Sequence, residues 1–188
     1  MDPDLPLIEA LQAGDDSALN ELIHRHREPL FHFAFSYLRD ETAARDVVQE
    51  TFVRTYFKAG KFQPSATVKT WLYTIALNLC RDHARRIAKR RHDVSLDEVP
   101  SHDRSPLELT DTQPIPSEQT GQKDQFALLQ RAIEQLPNSL REALILFSLE
   151  GKSQQEAAAI LGTTPKTVEL RVYRAKDKLR KFLGGILR

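Results

Sequence analysis

Hydrophobic residues recur three or four positions apart along most of this 188-residue chain, as they do in helices that bury one face. No stretch of six residues keeps the alternation of a half-buried strand, and no Asn-Gly or Asp-Gly hairpin turn occurs. The spacing predicts helices over residues 16–37, 41–59 and 67–91, with Gly60 as the stop of the second helix. We therefore expect an all-α fold.

Helix boundaries are easier to place in the last third of the chain, because capping residues mark them. Ser139-x-x-Glu142 and Ser153-x-x-Glu156 both match the capping box, in which two side chains satisfy each other's free backbone donors. The Thr-Pro pair at 164–165 matches an N-cap followed by proline at the first helical position. We expect four helices here, over residues 124–135, 139–149, 153–161 and 165–183.

Residues 93–122 break the helical pattern. They contain four of the ten prolines, no aromatic residue and no apolar period. Proline removes a backbone donor and disfavours helix in the residue before it, and such a segment buries too little surface to offset its ordering entropy. We therefore expect two small helical domains, 1–92 and 123–188, joined by a flexible acidic linker over 93–122.

Composition excludes several classes of protein. Hydrophobic residues make up 40% of the chain and charged residues 28%, which argues against wholesale disorder. The single cysteine, Cys80, excludes an internal disulfide and a cysteine zinc site. The apolar runs are too short to cross a bilayer and the acidic N-terminus lacks a secretory signal, so we expect a cytoplasmic protein. Because no metal-ligand pattern, phosphate loop or nucleophile elbow occurs, we expect no metal, no cofactor and no catalytic residue.

The net charge of +1 conceals a strong pattern of charge along the chain. Residues 61–92 carry 8 basic and 1 acidic side chains, and residues 166–188 carry 8 and 2. Residues 93–122 carry 1 basic and 7 acidic side chains, and residues 1–60 carry 6 and 11. Alternation on this scale indicates electrostatic partners of both signs.

The second basic block follows the pattern of a helix-turn-helix. The helix over 153–161 ends at Gly162, which permits a tight reversal into the next helix. An ordinary helical hairpin with a solvated basic face is the alternative. Because the capped turn, an apolar stripe and a basic tail occur together, DNA binding is favoured. The stripe is expected at Val168, Val172, Ala175 and Leu179, and the DNA-facing side at Lys166, Thr167, Leu170, Arg171, Tyr173, Arg174 and Lys178.

The first basic block, RDHARRIAKRR at 81–91, follows the run KTWLYTIALN at 69–78. Basic side chains attract phosphates, and aromatic faces stack on unpaired bases. A core helix with a solvated end is the alternative. Packing is favoured over base stacking for Trp71, whereas Tyr73 is expected to point away from the apolar arc and to be free to contact DNA.

Three runs together resemble the extracytoplasmic-function (group four) sigma factors of bacterial RNA polymerase, in the order and spacing of that family. They are DVVQETFVRTY at 46–56, KTWLYTIALNLCRDHARR at 69–86 and IEQLPNSLREALILFSLEGKSQQEAAAILGTTPKTVELRVYRAKDKL at 133–179. The resemblance implies that 1–92 is sigma region 2 and 123–188 is sigma region 4. It implies a transcription initiation factor and not an enzyme. It implies as partners core RNA polymerase, promoter DNA and an anti-sigma factor, which in some cases lies at the inner membrane face.

The resemblance also implies sites. Region 4 would read the minus-thirty-five element as duplex and contact the β flap of polymerase. A loop at 61–67 would capture a base flipped from the minus-ten element. The residues implied to bind the β′ coiled coil of polymerase are Asp46, Gln49, Glu50 and Phe52. Those implied to bind the minus-ten element are Lys61, Phe62, Gln63, Ser65, Asn78, Arg81, Arg85 and Arg86. Trp71 and Tyr73, from the aromatic run before the first basic block, are placed in the same site.

Two departures from the family pattern leave the DNA sequence open. Many members have a basic residue where this chain has Glu169, which is also placed in the minus-thirty-five site. Glutamate accepts a hydrogen bond from cytosine N4 but repels phosphates. The loop sequence QPSAT differs from the common Arg-Gly-rich form, so the flipped base is not assigned.

Two other functions remain as alternatives. One is a helix-turn-helix regulator that binds duplex DNA without polymerase and needs no polymerase-docking surface. The other is an enzyme with a DNA-targeting tail, such as a nuclease. It would need a cluster of carboxylates for a metal ion, and the first domain shows no convincing one.

Overall fold

A computed structural model of the chain describes residues 2–97 and 127–186, with only the backbone described for 91–97 and 185–186. Within these ranges every regular element is helical, which confirms the predicted all-α fold. None of these described helices is long and apolar enough to span a membrane. The elements are α1 (Leu5–Gln12), α2 (Ser17–Leu38), α3 (Glu41–Lys58), a 3-10 turn (Ala59–Lys61), α4 (Val68–Asp97), α5 (127–134), α6 (Asn138–Leu144), a π-helical turn (Ile145–Leu149), α7 (Gln154–Leu161) and α8 (Pro165–Ile186).

In the first domain, α2, α3 and α4 pack on one another. Leu22 and Phe33 on α2 and Leu72 on α4 are fully buried between them. α3 begins where the sequence predicts, because the Asp40 carboxylate accepts a hydrogen bond from the backbone N–H of Ala43 at 2.9 Å.

The short helix α1 was not predicted. It lies against α2 and buries Ile8 and Leu11, which are three positions apart and therefore share one face. Pro6 stands in its first turn, where the missing N–H costs nothing. This pair of apolar residues was the available signal, but a helix of about two turns is too short for its period to stand out.

Two predicted boundaries in the first domain are wrong. α3 passes directly into the 3-10 turn, and Gly60 lies inside that turn without a positive φ, so it is not a left-handed stop. α4 continues to Asp97, six residues past its predicted end and into the predicted linker. The segment 92–97 contains no proline or glycine, so nothing in it breaks the helix. The rest of the predicted linker, 98–122, lies outside the described residues.

In the second domain, the predicted turn between α7 and α8 is confirmed. Ser153 and Glu156 form a full capping box, with hydrogen bonds of 3.1 and 2.9 Å. Gly162 ends α7 with a φ of 61°, in the left-handed region. The hydroxyl of Thr164 accepts from the backbone N–H of Thr167 at 3.2 Å, and α8 begins at Pro165.

The second predicted capping box is wrong. α6 begins one residue earlier, at Asn138, after Pro137 as N-cap, and no side chain caps it. Glu142 is therefore not needed at the helix start. Its side chain is only 5% exposed and is turned toward the first domain.

The two domains pack against each other, and the main helical contact joins α4 to α7. One continuous apolar core runs from α2, α3 and α4 into the second domain, where it includes Leu146, Ile160 and Val168. A smaller core lies within the second domain around Ile133, with Ala175 and Leu179 of α8.

Candidate nucleic-acid interface

The recognition helix α8 has the two faces that the sequence predicts. Val168, Val172, Ala175 and Leu179 are all buried. On the opposite side Tyr173 is 70% exposed and Leu170 is 45% exposed. An exposed aromatic and an exposed aliphatic side chain among basic residues suit contact with base edges and thymine methyl groups. The other members of the predicted face are exposed at Lys166, Arg174 and Lys178 and half-buried at Thr167 and Arg171.

Glu169, the departure from the family pattern, is exposed next to Leu170 on α8. The ammonium of Lys166 donates a hydrogen bond to its carboxylate at 3.0 Å. This pair offsets the negative charge that would otherwise face the phosphates of a bound duplex.

The loop over 61–67 is exposed at its predicted polar positions, Lys61, Gln63 and Ser65. Phe62 is half-buried, and its ring lies 4.9 Å from that of Trp71. Trp71 therefore packs against the loop, as the sequence favours. Thr67 closes the loop, because its hydroxyl accepts from the backbone N–H of Thr70 at 3.2 Å.

Tyr73 is not free to contact DNA, contrary to the sequence prediction. It is 1% exposed, with its ring 5.3 Å from that of Phe33. The ammonium of Lys152, from the second domain, lies 3.9 Å from the centre of the Tyr73 ring on the other side. Burial raises the pKa of Tyr73. The prediction considered only one apolar arc of α4, whereas the second domain covers another side of the helix.

Arg81, a predicted minus-ten residue, is bound by the second domain. Its Nε and Nη2 atoms donate to the two carboxylate oxygens of Glu142 at 2.8 and 2.7 Å. These hydrogen bonds raise the pKa of Arg81. The hydroxyl of Tyr37 also points to Glu142, at 3.4 Å, and the Arg141 guanidinium lies 4.7 Å from the centre of the Tyr37 ring.

The remaining predicted arginines of α4 are accessible. Asn78 is exposed and accepts from Arg81 at 3.3 Å. Arg85 pairs with Asp82 at 3.0 Å, and its side chain is 77% exposed. Arg86 is also exposed. Arg81 and Arg85 line a cleft of about 640 Å³ between the domains together with Arg171 of α8.

Lys152 is the most perturbed basic group in this interface. It is 7% exposed, and burial, followed by the nearby charge of Lys69, lowers its pKa to about 8. The carboxylates of Glu150 and Glu156 oppose this shift, but they do not cancel it. Sequence reasoning missed both Lys152 and Glu142, because their partners are 79 and 61 positions away along the chain.

An apolar groove of about 760 Å³ lies between α2 and α3. Among the predicted polymerase-binding residues, Asp46 and Gln49 are exposed beside it, and Glu50 pairs with Arg54 at 2.7 Å. Phe52 is only 5% exposed and belongs mainly to the core, although it also lines the floor of the groove. The exposed apolar residues of the groove are instead Val53, Tyr56 and Phe57, which are 42%, 41% and 77% exposed.

No group of three or more His, Cys, Asp or Glu residues that could hold a metal ion occurs among the residues that the structure describes. A metal-dependent nuclease would need such a group.

Comparison with known proteins decides between the alternatives. Residues 22–91 match the family model of sigma-70 region 2, and residues 126–179 match that of sigma-70 region 4. The ECF RNA polymerase sigma factor SigM of Mycobacterium tuberculosis is 32% identical over 181 residues, covering 96% of this chain and 85% of the relative. This chain belongs to the ECF sigma factors.

Two solved structures share the arrangement of this sigma factor. The structure of CnrH in complex with the cytosolic domain of CnrY has a TM-score of 0.69 and 29% identity, and the match covers 97% of both chains. The sigma factor RpoE in complex with the anti-sigma factor NepR from Bartonella quintana has a TM-score of 0.62 and 25% identity, covering 88% of this chain and 96% of that one.

The family matches give each surface of this sigma factor a region. Most of the groove, the loop over 61–67 and the predicted arginines of α4 lie in region 2, and the recognition face of α8 up to Leu179 lies in region 4. Regions 2 and 4 are parts of a sigma factor, which is a transcription initiation factor, so the chain is an alternative sigma factor. Helix α1 precedes the region 2 match.

Proposed function

We propose that this sigma factor binds core RNA polymerase through the rim of the α2–α3 groove and directs it to promoters. The β′ coiled coil docks against Asp46, Gln49 and Glu50, with Val53 and Phe57 as apolar contacts. Region 4 contacts the β flap and reads the minus-thirty-five duplex with α8. The loop over 61–67 and the α4 arginines take up the minus-ten element. The polymerase performs the chemistry, so the sigma factor itself is not an enzyme.

The observation that carries this proposal is the exposed basic face of α8 around Tyr173 and Arg174. It coexists with a second basic surface and an exposed apolar groove in the same chain. A regulator that binds duplex DNA alone needs only the first of these features. The groove is mainly apolar and is lined by charged side chains of both signs and by Gln49, with the acidic Asp46 exposed beside it, which suits a helical partner surface that carries basic residues.

Reading both promoter elements requires the two domains to separate. Elements centred near positions −10 and −35 lie about 25 base pairs apart, which is about 85 Å along a straight duplex. A compact chain of this length is only about 40 Å across. The Arg81–Glu142 and Lys152–Tyr73 contacts therefore break when the sigma factor engages a whole promoter.

An anti-sigma factor is proposed to hold the free protein, as NepR does in the RpoE complex. We place the sigma factor in the cytoplasm, with a membrane-bound anti-sigma factor as a means of holding it at the inner membrane face. Binding to the closed arrangement would stabilise it by mass action and keep region 2 from DNA.

The test is reconstitution with core polymerase and selection of promoters from a randomised duplex library. The expected result is a two-element promoter with a fixed spacing, transcribed only when the sigma factor is present. Changing Asp46 and Glu50 to Lys should abolish core binding but leave duplex binding by α8 intact. Failure of the wild-type protein to bind core polymerase would favour the polymerase-independent regulator.

A further inference from the structure

The segment that precedes the region 2 match touches both ends of the minus-ten loop. At the first end, the side-chain amide of Gln12 donates a hydrogen bond to the backbone carbonyl of Ala59 at 2.8 Å. At the other end, the carboxylate of Asp2 accepts from the backbone N–H of Val68 at 2.6 Å. Between these two contacts lie the 3-10 turn and the whole exposed loop.

The Asp2 contact caps α4 at long range. The first backbone N–H groups of a helix have no partner within it, and the helix N-terminus favours negative charge. Thr67 satisfies the N–H of Thr70 locally, so Asp2 and Thr67 serve different donors. The second carboxylate oxygen of Asp2 accepts from the backbone N–H of Asp4 at 3.1 Å, which orients the group.

α1 is itself held firmly, so it can act as an anchor. Ile8 is fully buried against the core. Asp4, which is 4% exposed, accepts a hydrogen bond from Arg25 at 3.0 Å and lies 2.7 Å from the ring nitrogen of His26, both on α2. A charge placed at Asp2 is therefore fixed relative to α2 as well as to α4.

We propose that Asp2 and Gln12 are positioning residues for the minus-ten loop. By fixing Ala59 and Val68, they hold the two ends of a loop whose middle, at Gln63 and Ser65, is exposed for DNA. A loop that is already in place loses less conformational entropy when it takes up an extruded base. Neither residue contacts DNA. This inference rests on the proposed function of the loop.

The experiment uses holoenzyme and a promoter selected by the wild-type protein. Two DNA probes are compared: one with a duplex minus-thirty-five element and a single-stranded minus-ten element, and the same probe cut before the minus-ten element. Asp2→Ala should weaken binding of the first probe about tenfold, as expected for the loss of one charge-assisted hydrogen bond. Gln12→Ala should weaken it less, and Asp2→Asn should restore much of the binding because Asn also accepts at a helix start.

Asp15→Ala is the matched control. Asp15 accepts from the backbone N–H and the hydroxyl of Ser17, at 3.0 and 2.6 Å, at the start of α2, so its carboxylate serves a local turn and not an end of the loop. The truncated probe and core binding should be unchanged in all of these variants. If Asp2→Ala binds both probes as Asp15→Ala does, the inference is wrong. If Asp2→Ala weakens both probes and core binding equally, the residue is merely structural and the inference is again wrong. A wild-type holoenzyme that selects no promoter would instead refute the proposed function.

Discussion

The two basic surfaces of this sigma factor carry nearly the same charge but differ in what covers them. On α8 most of the predicted DNA-facing side chains are open to solvent, with Tyr173 70% exposed. On α4, Arg81 is bound by Glu142, and Tyr73 is buried under Lys152. Glu142 and Lys152 belong to the second domain. Equal charge along the sequence therefore does not mean equal access. In this arrangement the surface proposed to read the minus-thirty-five element is available, and part of the surface proposed for the minus-ten element is occupied by the protein itself.

The contact that covers α4 has the chemistry of a substitute for DNA. A guanidinium that binds a carboxylate through two parallel hydrogen bonds has the geometry with which it binds a phosphate. Glu142 thus occupies the donors that Arg81 would offer to the DNA backbone. The separation of the domains proposed for promoter binding would release these donors.

The largest expected effect is a loss of promoter affinity when the exposed basic face of α8 is changed. Arg174→Glu should weaken promoter binding about a hundredfold, because it removes one contact and adds repulsion toward phosphate. Arg180→Glu is the control, since Arg180 lies on the same helix just beyond the region 4 match. Titration of duplex DNA with holoenzyme measures both. Equal effects of the two variants would mean that the face of α8 was wrongly assigned.

A smaller effect is expected when the contact that covers the basic surface of α4 is weakened. Glu142→Gln removes the charged acceptor of Arg81 and should loosen the contact between domains, so that the free protein binds a single-stranded minus-ten oligonucleotide about tenfold more tightly. Asp177→Asn, which breaks an exposed pair with Lys181 on α8, should leave this affinity unchanged. Fluorescence anisotropy with a labelled oligonucleotide provides the measurement. Unchanged binding by Glu142→Gln would show that the contact does not limit access to α4.

The smallest expected effect is a dependence of stability on pH. In the folded protein the pKa of Lys152 is lowered to about 8, below its ordinary value of 10.5. Between pH 8 and 9.5 the unfolded chain therefore binds more protons at this site, and the free energy of unfolding should rise with pH by about 1 kcal/mol. Lys152→Met should remove this rise. Denaturant unfolding at several pH values tests it, and an identical pH slope in the two proteins would contradict it.

The parts of the fold that follow from local chemistry were predictable from the sequence. The Ser153 capping box, the turn at Gly162 and the buried stripe of α8 each depend on residues within a few positions of one another. The features that could not be predicted depend on contacts between residues that are far apart in the sequence. Glu142 has the spacing of a capping residue but is buried against Arg81, and Asp2 caps a helix that begins 66 positions later.

In the candidate sites too, only the features that depend on local sequence could be predicted. Exposure of Lys61, Gln63 and the basic face of α8 follows from their polarity and helical position. The burial of Tyr73 does not follow from its position on α4, because the second domain covers it, and the residues near Tyr73 in the sequence do not indicate where that domain packs. Phe57 was missed because it lies off the apolar stripe of α3. An aromatic residue in such an exposed position is a signal of a binding surface, and the sequence analysis did not use that signal.

The most direct test of the account is the distance between the two domains, measured with fluorescent labels at Lys89→Cys on α4 and Lys176→Cys on α8, both exposed positions. The native Cys80 is buried and burial raises its pKa to about 12, so it should not react with the labels. We predict a distance within about 40 Å in the free protein, and more than about 60 Å in holoenzyme bound to a selected promoter. A short distance that persists on the promoter would contradict the reading of two separate elements by two separating domains.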